Sequence, residues 1–138
     1  MESNQTQLLH SLNQFSRHFS KALNEALIPL GLYSAQWTII YLIKTNGSST
    51  QKTLAQYLGV EAPTMTRTIA RLEKSGWITK LVGADKREKQ IVLTEAAMNK
   101  YEEWHQAVRA CESRVLKTIE DEEIHSMLLF IEKMKENL

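Results

Sequence analysis

Residues 50–76 read TQKTLAQYLGVEAPTMTRTIARLEKSG, and this stretch decides how the rest of the chain is understood. Two runs with a helical apolar period meet at Gly59. Thr50 is placed to start the first, which carries Leu54, Ala55 and Leu58. The second opens with Pro63 in its first turn, where a missing N–H costs nothing. It runs through Met65, Ile69 and Leu72 to Gly76. The turn Tyr57-Leu-Gly-Val-Glu has glycine at the bend, so the pair reads as a helix-turn-helix. With Met65, Ile69 and Leu72 facing inward, Thr64, Thr66, Arg67, Thr68 and Arg71 take outward or flanking positions. Such side chains suit a helix lying in a DNA major groove. Arginine bonds guanine O6 and N7 together, and threonine touches a thymine methyl or a phosphate. The plainer alternative is a solvated helix with mixed polar residues, and this helix alone does not decide between the two.

Downstream the period changes. Ile78 to Val82 and Lys89 to Leu93 are short β-prone runs flanking Gly83-Ala-Asp-Lys-Arg-Glu, which reads as a hairpin with a charged tip. The tip offers Lys86, Arg87 and Lys89, with Asp85 beside them. A basic hairpin next to a reading helix reaches a neighbouring minor groove, where narrow A·T tracts attract arginine. Asp85 is placed to pair with Arg87 and hold its guanidinium at a fixed angle. Taken alone, a charged hairpin tip is only a soluble turn.

Outward from this unit lie long helices. The first is expected over about 5–28, with Leu8, Leu12, Phe15, Phe19, Leu23 and Leu27 on one stripe. Ser34 is the expected N-cap of a second helix through Trp37, Ile40, Tyr41 and Ile43, closed by Asn46-Gly47. Thr94 caps a fifth carrying Ala97, Tyr101, Trp104, Val108, Cys111 and Val115. Glu120 to Glu123 put negative charge at the start of a sixth, which presents Ile124, Met127, Leu128, Ile131 and Met134. All five glycines and both prolines fall between these periods, and no repeat or linker interrupts them. Long terminal stripes without an obvious partner point to a closed two-fold dimer, the commonest oligomer. The fold class expected is therefore mainly α, a winged helix-turn-helix with a two-stranded β wing, flanked by terminal dimerisation helices.

Composition bounds the classes. At 138 residues and 15.9 kDa, with 43% hydrophobic and 24% charged residues, the chain is expected to be one folded domain over 1–138. The longest nearly apolar stretch, Trp37 to Ile43, is far short of the ~20 residues of a membrane span. MESNQTQLLH has no basic region followed by an apolar one, so neither a secretory signal nor a membrane partner is expected. The single cysteine, Cys111, suits a reducing cytoplasm. Net charge is +1, but it is unevenly distributed. Residues 1–62 carry four basic and three acidic side chains, residues 63–94 seven and three, and residues 95–138 six and ten. A polyanion is met by the middle segment.

Taken together, these pieces carry a resemblance. The helix-turn-helix, then Arg71-Leu-Glu-Lys-Ser-Gly-Trp-Ile, then Asp85-Lys-Arg-Glu-Lys-Gln-Ile-Val-Leu-Thr, resemble the MarR family of bacterial winged-helix transcription regulators. Leu32-Tyr-Ser-Ala-Gln-Trp and Leu54-Ala-Gln-Tyr-Leu-Gly-Val fit the same pattern, and the match runs from about Leu8 to Met134. The resemblance implies a triangular homodimer. Residues of about 5–29 and 95–137 would form its dimerisation helices, and about 32–94 the winged helix-turn-helix. It also implies a pseudo-palindromic double-stranded DNA operator, with recognition helices in successive major grooves about 34 Å apart. The implied activity is that of a repressor released by a small-molecule effector. In the family a wing aspartate braces an arginine that enters the minor groove; the matching positions are Asp85 and Arg87. Two departures stand out. Lys86 replaces the first wing arginine, keeping charge but losing the planar fork. Glu61 stands where a small polar cap usually precedes the recognition helix.

An effector, expected to be an aromatic acid or phenol, would be lined by Phe15, His18, Trp37, Tyr41, Trp104 and His105. Each also reads as an ordinary structural residue, and Phe15 and Trp37 sit on core stripes. The peroxide-sensing branch of the family carries a cysteine near the start of its first helix; here Cys111 falls on an apolar stripe, where a thiol is usually inert. His10, His18, His105 and His125 are scattered without zinc-ligand spacing, and Glu102 with His105 reads as an ordinary pair on a helix surface. No phosphate loop, nucleophile elbow or metal-binding His-Glu helix is present, so no enzyme, metal or cofactor is expected. The competing class is a winged-helix protein-interaction module without DNA binding, which the modest net charge permits.

Overall fold

Where glycine and proline stop the apolar period, the chain turns. The computed structural model describes residues 3–82 and 89–138. In order these form α1 (Asn4–Leu27), a 3-10 turn (Ile28–Leu30), α2 (Ser34–Asn46), α3 (Gln51–Leu58), α4 (Ala62–Lys74), β1 (Ile78–Val82), β2 (Lys89–Leu93), α5 (Glu95–Val115) and α6 (Asp121–Glu136). The strands pair antiparallel from Ile78↔Leu93 to Val82↔Lys89, the wing read from the sequence. Ser49 extends the sheet by exchanging two backbone hydrogen bonds with Ile91, at 3.1 and 2.7 Å. The hairpin tip, with Asp85, Lys86 and Arg87, lies outside the described residues.

Local chemistry explains the element ends. Thr50 Oγ1 accepts the Thr53 N–H at 3.1 Å and starts α3. Gly59, at φ +65°, closes α3 in the left-handed region that glycine enters without steric cost. Thr94 Oγ1 accepts the Ala97 N–H at 3.2 Å and donates to the Gly76 carbonyl at 2.6 Å, tying the start of α5 to the turn that follows α4. One expectation is corrected. The N-cap of α2 is Tyr33, and Ser34 is already helical. The Ser34 N–H, left without a partner inside α2, donates to Asn24 Oδ1 of α1 at 2.8 Å, while the Gln36 and Trp37 N–H groups that a serine cap would have served bond to the Tyr33 carbonyl.

The core gathers under α4. Leu27, Leu32, Ile39, Ile40, Ile43, Leu54, Met65, Ile69, Leu72, Ile91 and Trp104 are all essentially inaccessible. The stripe of α1 is only partly covered by its own chain. Only its last turns reach the core, with Leu23 half-buried and Leu27 fully buried. Leu8 is 52% and Phe15 51% exposed, because among the described residues no other element covers them, so Phe15 is not a core residue. Helix α6 buries nothing, and Met127, Leu128, Leu129, Phe130 and Ile131 are all exposed. Among the described residues no single helix is long and apolar enough to cross a membrane.

Leu72 is fully buried on α4. Replacing it by alanine is expected to lower unfolding stability by about 2–5 kcal/mol, read from the urea midpoint. A loss below about 1 kcal/mol would show that α4 does not lean on this core.

Candidate nucleic-acid interface

Helix α4 is rolled into one orientation by Met65, Ile69 and Leu72, each at most 1% exposed. Its other side carries Thr64, Thr66, Arg67 and Arg71 in solvent, with Thr68 half-buried at the flank. Glu61 precedes the helix in extended geometry and makes no side-chain cap bond, so the unusual residue at this position does not replace the missing cap.

Two of the three hydroxyls of α4 are already committed. Thr66 Oγ1 donates to the Ala62 carbonyl at 3.0 Å and accepts from Gln51 Nε2 at 2.7 Å. Thr68 Oγ1 donates to the Thr64 carbonyl at 3.0 Å. A hydroxyl has one proton, so both threonines present methyls and lone pairs outward rather than donors. They suit a thymine methyl or a base amino group better than a phosphate oxygen. Arg67 Nη2 lies 3.4 Å from Thr64 Oγ1, a weak tether that leaves most of the guanidinium free to reach outward.

Gln51 was not among the residues singled out from the sequence. It braces Thr66 from α3, fifteen positions away, and nothing in the apolar period announces such a contact. Lysines at the wing base enlarge the basic surface. Lys80, Lys89 and Lys52 line a groove of about 670 Å³ between α3 and the strands, above Ala55, Val60 and Ile91. Lys80 is held 3.3 Å from Glu73, joining β1 to α4. Ser48 Oγ donates to Gln90 Oε1 at 3.0 Å and joins β2 to the chain entering α3. Helix α4, the wing base and α3 are thus mutually braced.

Of the six candidate effector residues, three come together. Trp37 lies 6.0 Å from Tyr41 and 5.7 Å from His105, ring centre to ring centre. Tyr101, not anticipated as a member, completes the cluster at 5.4 Å from Trp37, and the Lys44 ammonium sits 5.5 Å above its ring. Trp104 turns into the core instead: it is fully buried, donates its indole N–H to the Leu30 carbonyl at 2.9 Å, and meets Trp77 edge-on. Phe15 stacks on Phe19 along α1, and His18 is exposed on the same helix. Cys111 is buried, its Sγ 3.9 Å from the Ala22 carbonyl. Among the described residues no three His, Cys, Asp or Glu side chains gather as a metal site.

Helix-turn-helix, antiparallel wing and outward Thr/Arg face define a winged-helix protein. A model described as the MarR family matches residues 32–89. YwoH of Bacillus subtilis, described as an uncharacterized HTH-type transcriptional regulator, is 48% identical over 116 residues, covering 84% of this chain and 85% of that protein. A mutant MarR from E. coli, solved in complex with operator DNA, superposes with a TM-score of 0.80 at 27% identity, over 94% of this chain and 91% of that one. A MarR-family regulator from Rhodococcus sp. RHA1 shares the fold at a TM-score of 0.85 and 19% identity, over 97% and 96% of the two chains. The chain belongs to the MarR family of transcriptional regulators.

Burial in the aromatic cluster raises the pKa of the Tyr101 phenol above its usual value of 10.0; Tyr41 and Glu102 push the same way and Arg109 opposes them. The raised folded value means that Tyr101 contributes its full stabilisation below the unfolded pKa and loses it as pH climbs through the folded one. The stability difference between wild type and Tyr101→Phe is therefore expected to stay constant up to about pH 9. Above about pH 10 it should shift in the variant's favour, as read by denaturant titration. A constant difference throughout would remove the burial argument.

Proposed function

We propose that this chain is a homodimeric, sequence-specific DNA-binding repressor of the bacterial cytoplasm, released by a small aromatic effector. The observation that carries this reading is the outward face of α4, where Thr64, Thr66, Arg67, Thr68 and Arg71 stand opposite a fully buried apolar side. In that role Arg67 and Arg71 read base edges in the major groove. Asp85, Lys86, Arg87 and Lys89 act at the wing, Arg87 in the minor groove. The operator-bound E. coli MarR, alike over nearly the whole chain, supports the same role for this helix.

The division of labour follows the uncovered surfaces. Residues of about 32–94 form the reading head, while about 5–29 and 95–137 form the dimer base, covering Leu8, Phe15, Leu128 and Phe130 against a second copy. Two heads on a two-fold axis require a pseudo-palindromic site with half-site centres about 34 Å apart. Trp37, Tyr41 and His105, joined by Tyr101, lie where the base meets the head and are the aromatic surface on which an effector would act. Its binding would be linked to DNA affinity by a coupling of ~1–3 kcal/mol. No catalysis, metal or cofactor enters this reading.

Duplexes selected by the wild-type protein from a random pool provide the probe. Arg67→Ala and Arg71→Ala are each expected to weaken binding at least about tenfold, and each should lower the salt slope by about 1 if it meets a phosphate or leave it if it meets a base. Binding that is absent, or insensitive to salt, would favour the interaction-module reading. Leu128→Glu places a charge on a residue already 58% exposed, so the single chain is expected to fold. Sedimentation should show it as a monomer at micromolar concentration, with affinity for the palindrome lost. A dimer of unchanged strength would exclude α6 from the base.

A further inference from the structure

The segment joining the base to the head is held from three directions. The α1 arm, with its 3-10 extension, and α2 meet at 77°. The connection is short and built around Gly31 at φ +86°, with the Gly31 N–H bonded to the Ile28 carbonyl and the Leu32 N–H to the Leu27 carbonyl. From α1, Asn24 Oδ1 accepts the N–H of Ser34 at 2.8 Å. From α5, the Trp104 indole donates to Leu30 at 2.9 Å. From the end of the reading helix, Trp77 lies against Gly31, where an added Cβ would meet its ring at 3.6 Å, and packs edge-on to Trp104.

The Asn24 bond differs from the others. Trp104 and Trp77 fill space, and their loss opens a cavity. Asn24 is half-buried and joins the two helices by one directional hydrogen bond. The first N–H groups of a helix have no partner within it. The acceptor for Ser34 comes from a helix on the other side of the bend, so the bond is sensitive to the angle between the two.

We infer that Asn24 is a positioning residue: it locks the angle between the α1 arm and the reading head and so sets how far apart the two recognition helices stand. This rests on the dimeric DNA-binding reading above. With a lever on the order of 20 Å, the scale of a small domain, a rotation of about 10° moves a recognition helix by about 3.5 Å, close to the rise of one base pair. Releasing the bond therefore relaxes the choice of half-site spacing more than it weakens any base contact.

The bond can be removed from either side. Asn24→Ala deletes the acceptor. Ser34→Pro deletes the donor at the first helical position, where proline is welcome, and Tyr33 before it is already extended at φ −104°, ψ 154°, as a residue preceding proline must be. Asn24→Asp keeps an acceptor oxygen. The probe is the duplex selected by the wild-type protein, with one base pair inserted or deleted between the half-sites. The wild type is expected to lose about tenfold or more on these, within the range of known coupling factors. Asn24→Ala and Ser34→Pro should each lose less than about threefold relative to their own best duplex, the double variant no less than either, and Asn24→Asp should keep the wild-type profile. Ser34→Pro keeps the test open if Asn24→Ala does not fold. A wild-type spacing profile in both bond-deleting variants, or an equal loss on every spacer, would overturn the inference while leaving DNA binding intact. A wild-type protein that binds no duplex would overturn the DNA reading itself, and this inference with it.

Discussion

The roll of α4 about its own axis is the constraint on which the functional surface depends. Met65, Ile69 and Leu72 are spaced by four and three, so they lie on one face of a helix with 3.6 residues per turn. All three are buried, and turning α4 by one residue would bring a charged or hydroxylated side chain into a dry core. The outward set is therefore determined by the inward one. Gln51 on Thr66 and Lys80 on Glu73 then limit sliding and tilting, the motions that apolar contacts resist least.

A second constraint works in the opposite direction. The core is closed around α2 to α5, yet α6 buries none of its residues and the first turns of α1 are open. Burying apolar surface is worth about 25 cal/mol per Å², so the exposed leucines, methionines and phenylalanines of these helices favour association strongly. Leu129 and Phe130 lie off the stripe of Ile124, Met127, Leu128 and Ile131, so α6 is apolar on more than one side. A helix of that kind belongs between others rather than on a surface.

Most of the architecture was legible from periodicity and punctuation. Residues at steps of three and four in α4 and α5 are the ones found buried, and the two strands begin and end where the β-prone runs do. What escaped shares one physical origin. Asn24 on Ser34, Gln51 on Thr66 and Trp104 on Leu30 join elements separated by 10, 15 and 74 positions. Each depends on the angle between two helices, which a one-dimensional pattern does not encode. Ser34 looked like a cap because its own hydroxyl is a good one. Phe15 looked like core because a stripe that its own chain leaves open has the same period as one it covers. The same limit explains the aromatic cluster: Trp37, Tyr41 and His105 were singled out by type, while Tyr101 was read only as a position on the stripe of the fifth helix, and Trp104 was grouped with them although its ring turns the other way.

The charge distribution joins these two constraints. Residues 63–94 carry a net +4 and residues 95–138 a net −4, so a net charge near zero hides a strongly polarised molecule. At physiological ionic strength fields fade over about 8 Å, so the polarity acts only at close approach. Within that range the basic surface of α4 and the wing base attracts a polyanion, and the acidic start of α6, with Asp121, Glu122 and Glu123 in its first turn, repels one. The proposed dimer would double both ends. In it the acidic start of α6 would discourage a duplex from settling on the wrong side, and the second chain would cover the exposed apolar faces of α1 and α6. The unremarkable overall charge is thus the sum of two opposed local charges, one placed to attract a polyanion to α4 and the wing base and one placed to repel it from α6.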